Sequence, residues 1–255
     1  MNEWMPRIGS VPYLNARPLL EGLEYPITEL VPARLCEEFQ KGGLDAALLS
    51  SIDVLSESDA VVVDGVAIAS QGAVHSVILA YTGELAALSK IQLDPSSHTS
   101  NALLQVILSE FYGLVLDYVQ IEALEPLVLP RLLIGDPAIE FRKQKTSSEI
   151  KFLDLGEEWY RHTKLPFVFA LWIVRNEFMQ KKSLADALRF AKSRGVSRFS
   201  AIAAQTPDPD FAIRYFTQSI SYDLGDAEKW GLALFQKLLI KHHLISDREP
   251  LANFI

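Results

Sequence analysis

Short apolar runs alternate with helix-patterned segments along most of the chain, and this alternation restricts the fold more than any other feature. Residues 7–11, 27–31, 45–49, 61–69 and 74–81 read as strands, separated by helical patterns over 16–23, 33–41 and 52–56. A second series follows, with strands over 91–93, 118–122, 131–134 and 167–174 and helices over 102–112 and 125–129. Segments 184–193, 196–205, 207–218 and 226–242 carry apolar residues at helical spacing, so the C-terminal region reads as helical. Strands and helices in alternation predict an α/β fold with a mostly parallel sheet. Two such series and a helical tail predict two lobes around a cleft, residues 1–85 with 176–255 forming one and 86–175 the other. Ligands of open α/β sheets sit beyond the carboxyl ends of strands, so the residues that follow each strand are the candidates for function.

Composition narrows the partners. With 24 Lys and Arg against 32 Asp and Glu, the formal charge is -8, and no long basic run exists to neutralise phosphates. Nucleic-acid binding is therefore disfavoured. No apolar stretch is long enough to span a bilayer, and the first seven residues lack the pattern of an export leader. A cytoplasmic, membrane-free protein is the expectation. The single cysteine, Cys36, falls in a helical pattern and reads as a buried, inert side chain. The five histidines lack metal-type spacing, and neither a Walker A nor a GxGxxG motif occurs, so no metal or cofactor is expected.

The first strand runs into Gly9-Ser10-Val11-Pro12-Tyr13-Leu14-Asn15-Ala16-Arg17-Pro18. A polar run between strand and helix can present hydroxyls and N–H groups to an anion. Asn15 suits either ligand contact or helix capping. Arg17 suits a carboxylate clamp or a surface ion pair, and Tyr13 a ring-stacking wall or a filler between lobes. Ser50 and Ser51 end a buried strand as carboxylate donors or caps, and Ser76 opens another strand as a ligand contact or an ordinary bonded hydroxyl. Asp94-Pro95-Ser96-Ser97-His98-Thr99-Ser100 places four hydroxyls before an apolar helix. A helix start carries unpaired N–H groups and a positive dipole end, and capping does not readily account for four hydroxyls, which points Thr99 and Ser100 at a ligand. His98 can serve as acid or base or as a solvated loop residue. Gly135 permits close backbone approach, and Asp136 can be an acid or base, a cap or a turn residue.

Taken in order, Ser10-Val11-Pro12-Tyr13-Leu14-Asn15-Ala16-Arg17-Pro18-Leu19, Ser97-His98-Thr99-Ser100, Leu133-Ile134-Gly135-Asp136-Pro137-Ala138, Asp154-Leu155-Gly156-Glu157-Glu158-Trp159, Leu165-Pro166-Phe167-Val168-Phe169-Ala170-Leu171-Trp172 and Ile220-Ser221-Tyr222-Asp223-Leu224 resemble the chorismate dehydratases of menaquinone synthesis. The resemblance implies a type II periplasmic-binding-protein-like fold used as an enzyme. It implies conversion of chorismate to 3-[(1-carboxyvinyl)oxy]benzoate and water in the futalosine route. It also implies catalytic roles for Asn15 and Ser76, and substrate contacts among Ser10, Tyr13, Arg17, Ser50, Ser97, His98, Thr99, Ser100, Gly135 and Asp136. Two positions depart from the family pattern: Lys164 stands where glycine is expected, and His98 where arginine is expected. A solute-binding protein without catalysis shares the implied fold and is the non-enzymatic alternative.

Overall fold

The computed structural model describes residues 5–56, 60–121, 127–144, 147–247 and 253–255. The chain opens with β1 (Ile8–Ser10), a 3-10 turn (Leu14–Leu20), β2 (Ile27–Glu29), α1 (Pro32–Gln40), β3 (Ala46–Ser50), α2 (Ser51–Ser56) and β4 (Ala60–Ser70). It crosses to β5 (Val77–Tyr81), β6 (Lys90–Gln92), α3 (His98–Val106), β7 (Asp117–Val119), β8 (Arg131–Ile134), α4 (Gly135–Lys143), β9 (Lys151–Asp154) and α5 (Leu155–Thr163). It returns through β10 (Phe167–Arg175) to α6 (Lys181–Ser197), α7 (Phe199–Ala203), α8 (Pro209–Arg214) and α9 (Asp226–Lys241).

Two five-stranded sheets result, ordered β2-β1-β3-β10-β4 and β7-β6-β8-β5-β9. The first contains the long apolar runs, because helices cover it and side chains on both faces need to be apolar; every residue of β3 is buried. The expectation of a mostly parallel sheet is corrected. Parallel pairing joins β1 to β2 and β3, and β6 to β7 and β8, whereas β10 and β5 run antiparallel to both their neighbours. These two strands carry the chain between sheets, so neither is fixed by a helical crossover within its own sheet. Sheet membership also moves the crossings to 71–76 and 164–166, ahead of the expected bounds near 85 and 175.

Other differences have local causes. Pro18 lies inside the expected helix over 16–23 and lacks an N–H, and the segment winds as a 3-10 turn. The helix expected from 102 begins at His98, because Ser97 caps it by accepting from Ser100 N at 3.1 Å. Gly135-Asp136-Pro137 opens α4 instead of a loop: Gly135, at φ +63°, turns the chain out of β8, and Pro137 is tolerated in the first turn. Of the helix expected over 125–129, residues 127–129 are described and are not helical, and 125–126 lie outside the described residues; the strand expected over 118–122 ends at Val119, and only residue 122 lies outside them. Lys164 ends α5 with φ +60°, a left-handed conformation that glycine adopts freely and that costs another residue about 1–2 kcal/mol. The glycine expected here from the resemblance would take this backbone without that cost.

The lobes share a hydrophobic seam. Trp159 of α5, Phe167 of β10 and Phe235 of α9 pack edge to face, with ring centroids 4.9–5.9 Å apart. All three are fully buried, so the C-terminal helix joins the second lobe to the returning strand. Cys36 is buried on α1. Among the described residues, no helix is long and apolar enough to cross a membrane.

Candidate active site

A hollow between the sheets is lined by Tyr13, Asn15, Ser50, Ser76, Ser97, Thr99, Ser100 and Gly135, together with Phe169 and Ala170 of β10. Residues far apart in sequence meet here because most of them lie at strand ends or helix starts at the facing edges of the sheets. Ser50 ends β3 opposite Ala170, Ser76 immediately precedes β5, Gly135 follows β8, and the Ser97–Ser100 segment starts α3.

Four residues expected at the ligand lie outside this lining. Ser10 is fully buried within β1, and its hydroxyl has no hydrogen-bond partner among the described residues. Arg17 is exposed. Asp136 accepts from Leu14 N at 3.0 Å, so it fastens the turn that carries Tyr13 and Asn15; burial pushes its carboxyl pKa upward. His98 turns to Asp53, with Nδ1 2.7 Å from Oδ1, and this partner raises its pKa.

The hydroxyl cluster ahead of α3 divides into separate tasks. Ser96 donates to Asp94 at 2.5 Å, Ser97 caps the helix, and Thr99 accepts from Ile52 N at 2.9 Å across the lobes. Hydroxyls that accept in this way keep their own proton available. Ser76 belongs to the same class, since it accepts from the Tyr215 hydroxyl at 2.7 Å. The Asn15 side chain lies beside the Tyr215 hydroxyl, and its buried Oδ1 has no hydrogen-bond partner among the described residues. Asn15, Tyr215 and Ser76 thus stand together at the hollow, with Tyr215 donating to Ser76. Burial holds the Tyr215 phenol far above its ordinary pKa, so it remains a neutral donor.

The approach to Ser76 is held by Asp154. Its carboxylate accepts from Val74 N at 2.9 Å and His75 N at 2.7 Å, and it caps α5 through Gly156 N and Glu157 N at 3.1 and 3.2 Å. His75 takes φ +64° there, an uncommon conformation for a residue with a side chain. Burial lowers its pKa, so it stands neutral beside Ser76.

Tyr215, Asp154 and Asp53 were not singled out by sequence reasoning. Asp154 carried a weak signal as a cap ahead of a helix; Tyr215 and Asp53 carried none, because their partners lie on other elements. Among the described residues, no group of three or more His, Cys, Asp or Glu is placed to hold a metal. The hollow offers neutral donors, a helix start and a few acceptors, a set suited to a small carboxylated molecule.

Comparison with known proteins adds three results. The menaquinone biosynthesis family matches residues 6–241. Chorismate dehydratase from Thermus thermophilus is 30% identical over 258 residues, covering 91% of this chain and 94% of that protein. Chorismate dehydratase from Campylobacter jejuni is 28% identical over 246 residues, covering 90% and 95%. Among solved structures, a protein from Archaeoglobus fulgidus superposes with a TM-score of 0.72 at 14% identity, covering 96% of this chain and all (100%) of that one. A Candida albicans protein described as having the generic periplasmic binding protein fold gives 0.64 at 12% identity, with 99% and 96% covered. The periplasmic aliphatic sulphonate binding protein of Escherichia coli gives 0.61 at 12% identity, with 97% and 95% covered. At these identities the structural likenesses establish the fold, a two-lobed periplasmic-binding-protein architecture.

Proposed function

The chain belongs to the menaquinone biosynthesis family, and from that premise we propose that it dehydrates chorismate to 3-[(1-carboxyvinyl)oxy]benzoate as a carbon–oxygen lyase. The observation that carries this reading is the match to chorismate dehydratases over nine-tenths of the chain, joined to an interlobe hollow lined by Asn15, Ser76 and Thr99. The futalosine route and the cytoplasm are the setting that family membership supports best, and the net charge of -8 argues against a nucleic-acid partner.

Chorismate brings two carboxylates, a ring hydroxyl and an enol ether. The C–H bond at the ether-bearing carbon breaks, its electron pair forms the new ring double bond, and the adjacent C–O bond releases the hydroxyl. The proton passes to the enolpyruvyl carboxylate of the substrate and from there to the departing hydroxyl, so one water leaves and charge balances. Aromatisation drives the reaction without a redox step. The protein's part is to hold the reactive conformer, where correct orientation is worth up to about 7–11 kcal/mol. It also stabilises charge as it spreads toward the ring carboxylate. The protons of Thr99 and Ser97 and the start of α3 serve that carboxylate. Asn15 and Ser76, beside Tyr215, hold the enolpyruvyl arm. The paired lobes exclude water.

The test is incubation with chorismate, followed by detection of the aromatic enol ether. Asn15→Ala is expected to lower kcat roughly 100- to 1000-fold, the usual effect of removing one transition-state hydrogen bond, with a smaller loss of substrate binding. Binding of chorismate by the wild-type protein without any turnover would reassign the chain as a solute-binding protein.

A further inference from the structure

Asp53, on the first turn of α2, takes no part in the chemistry above. One of its carboxylate oxygens accepts from the Ser50 hydroxyl at 2.6 Å, and the other pairs with His98 Nδ1 at 2.7 Å. Its two partners stand in different lobes, Ser50 at the end of β3 and His98 at the start of α3. One residue away on each side, Ile52 N donates to Thr99 Oγ1, so α2 and α3 are joined twice across the cleft. The Asp53 side chain is nearly covered, at 10% exposure, while that of His98 is 48% exposed.

An ionised carboxylate only accepts. The single proton of Ser50 is therefore committed to Asp53, and Ser50 offers lone pairs to the hollow that it lines. Ser76 and Thr99 have the opposite polarity, since their oxygens already accept. The substrate of the proposed reaction shows the matching asymmetry: its two carboxylates accept, and its ring hydroxyl is the one group that donates. We propose that Asp53 is a positioning residue that presents Ser50 as the acceptor for the substrate's ring hydroxyl, and that His98 holds Asp53 in this pose when the lobes meet. This rests on the dehydration reading and goes beyond it, by assigning recognition of the leaving hydroxyl to a bridge between lobes. A buried pair of mismatched polarity loses far more than a bond to water, so the bridge separates the hydroxylated substrate from its dehydrated product. The charged groups facing His98 are Asp53 from α2 and Glu37 from α1, both acidic, and both favour the imidazolium. The bridge is charged below the raised His98 pKa and weakens as pH rises through it.

The experiment compares two ligands. Asp53→Asn supplies an amide donor to Ser50 Oγ and turns the Ser50 proton toward the hollow. It is expected to lower kcat/KM for chorismate about tenfold to hundredfold, the effect of one reversed buried hydrogen bond. The affinity for 3-[(1-carboxyvinyl)oxy]benzoate, which lacks the hydroxyl, should change less than about twofold. Equal losses for both ligands, or no loss for either, would overturn the proposal. His98→Arg gives a second reading that does not depend on the Asp53 variant folding. KM of the wild type is expected to rise along an alkaline limb, and with a fixed cation at this position that rise should disappear. A limb shared by both proteins, or absent from the wild type, would also overturn it. If the wild type binds chorismate without turnover, the dehydration reading fails separately. The affinity ratio of the two ligands in Asp53→Asn then still decides the role of Asp53.

Discussion

Beside the hollow, the carboxylates of Asp136 and Asp53 both bridge the lobes, and they do so in different ways. On one side Asp136, raised in pKa by burial, reaches from α4 to a backbone N–H, that of Leu14 at 3.0 Å. On the other, Asp53 reaches from α2 to the half-exposed imidazole of His98. The first bond has a partner that never titrates, and beside it Tyr13 packs against Gly135 with no room for a methyl group. The second is an ion pair whose cation loses its charge as pH rises through its raised pKa and whose exposed edge is screened by salt. The difference teaches that one side of the hollow sets the pose of Tyr13 and Asn15 under all conditions. The other side adjusts to pH and to the approach of the lobes.

The rigid side gives way most sharply at Gly135. Its φ of +63° disfavours any side chain, and a Cβ there would lie 2.8 Å from two carbons of the Tyr13 ring. Gly135→Ala is expected to cost about 2–5 kcal/mol, combining left-handed strain with overpacking. Chemical denaturation checks this, and turnover should fall with it because Tyr13 and Asn15 move together. A variant as stable and as active as the wild type would show that this side is no more rigid than the other.

Next in size is Tyr215→Phe, which removes the buried donor to Ser76 and the hydroxyl beside Asn15. A loss of roughly 1–3 kcal/mol in stability is expected, with kcat reduced and KM for chorismate nearly unchanged, since the ring still fills its place. Tyr215 also marks a limit of reading from sequence. Asn15, Thr99 and Gly135 could be picked out because they follow strands or open a helix, where ligands of such sheets bind, whereas Ser76, at the start of a strand, drew its catalytic role from the family resemblance. Tyr215 lies 139 residues from Ser76 in sequence, inside a helical pattern, and its hydroxyl gains meaning only from a partner on another element. Asp53 and His98, 45 residues apart, are alike in this respect. The strands themselves were legible as apolar runs. The directions of β5 and β10 were not, because burial periodicity is the same for a strand and its reverse.

The smallest effect is expected where the two bridges receive the same substitution. In Asp136→Asn the amide oxygen can still accept from Leu14 N, so the turn that carries Asn15 keeps its anchor. No proton on the reaction path passes through this residue, and kcat should fall less than about threefold, in contrast to the loss at Asp53. Stability should move the other way. A carboxyl whose folded pKa is raised by burial contributes stability while protonated and loses that contribution as pH rises through the folded value. Above that value the ionised Asp136 is held at a cost that Asn does not share, and Asp136→Asn should raise Tm there by a few degrees at most. The gap should close as pH falls toward the carboxyl's pKa, which thermal unfolding across an acidic series would read directly. Abolished proton removal in Asp136→Asn, with chorismate still bound, would make Asp136 the base in place of the substrate's own carboxylate.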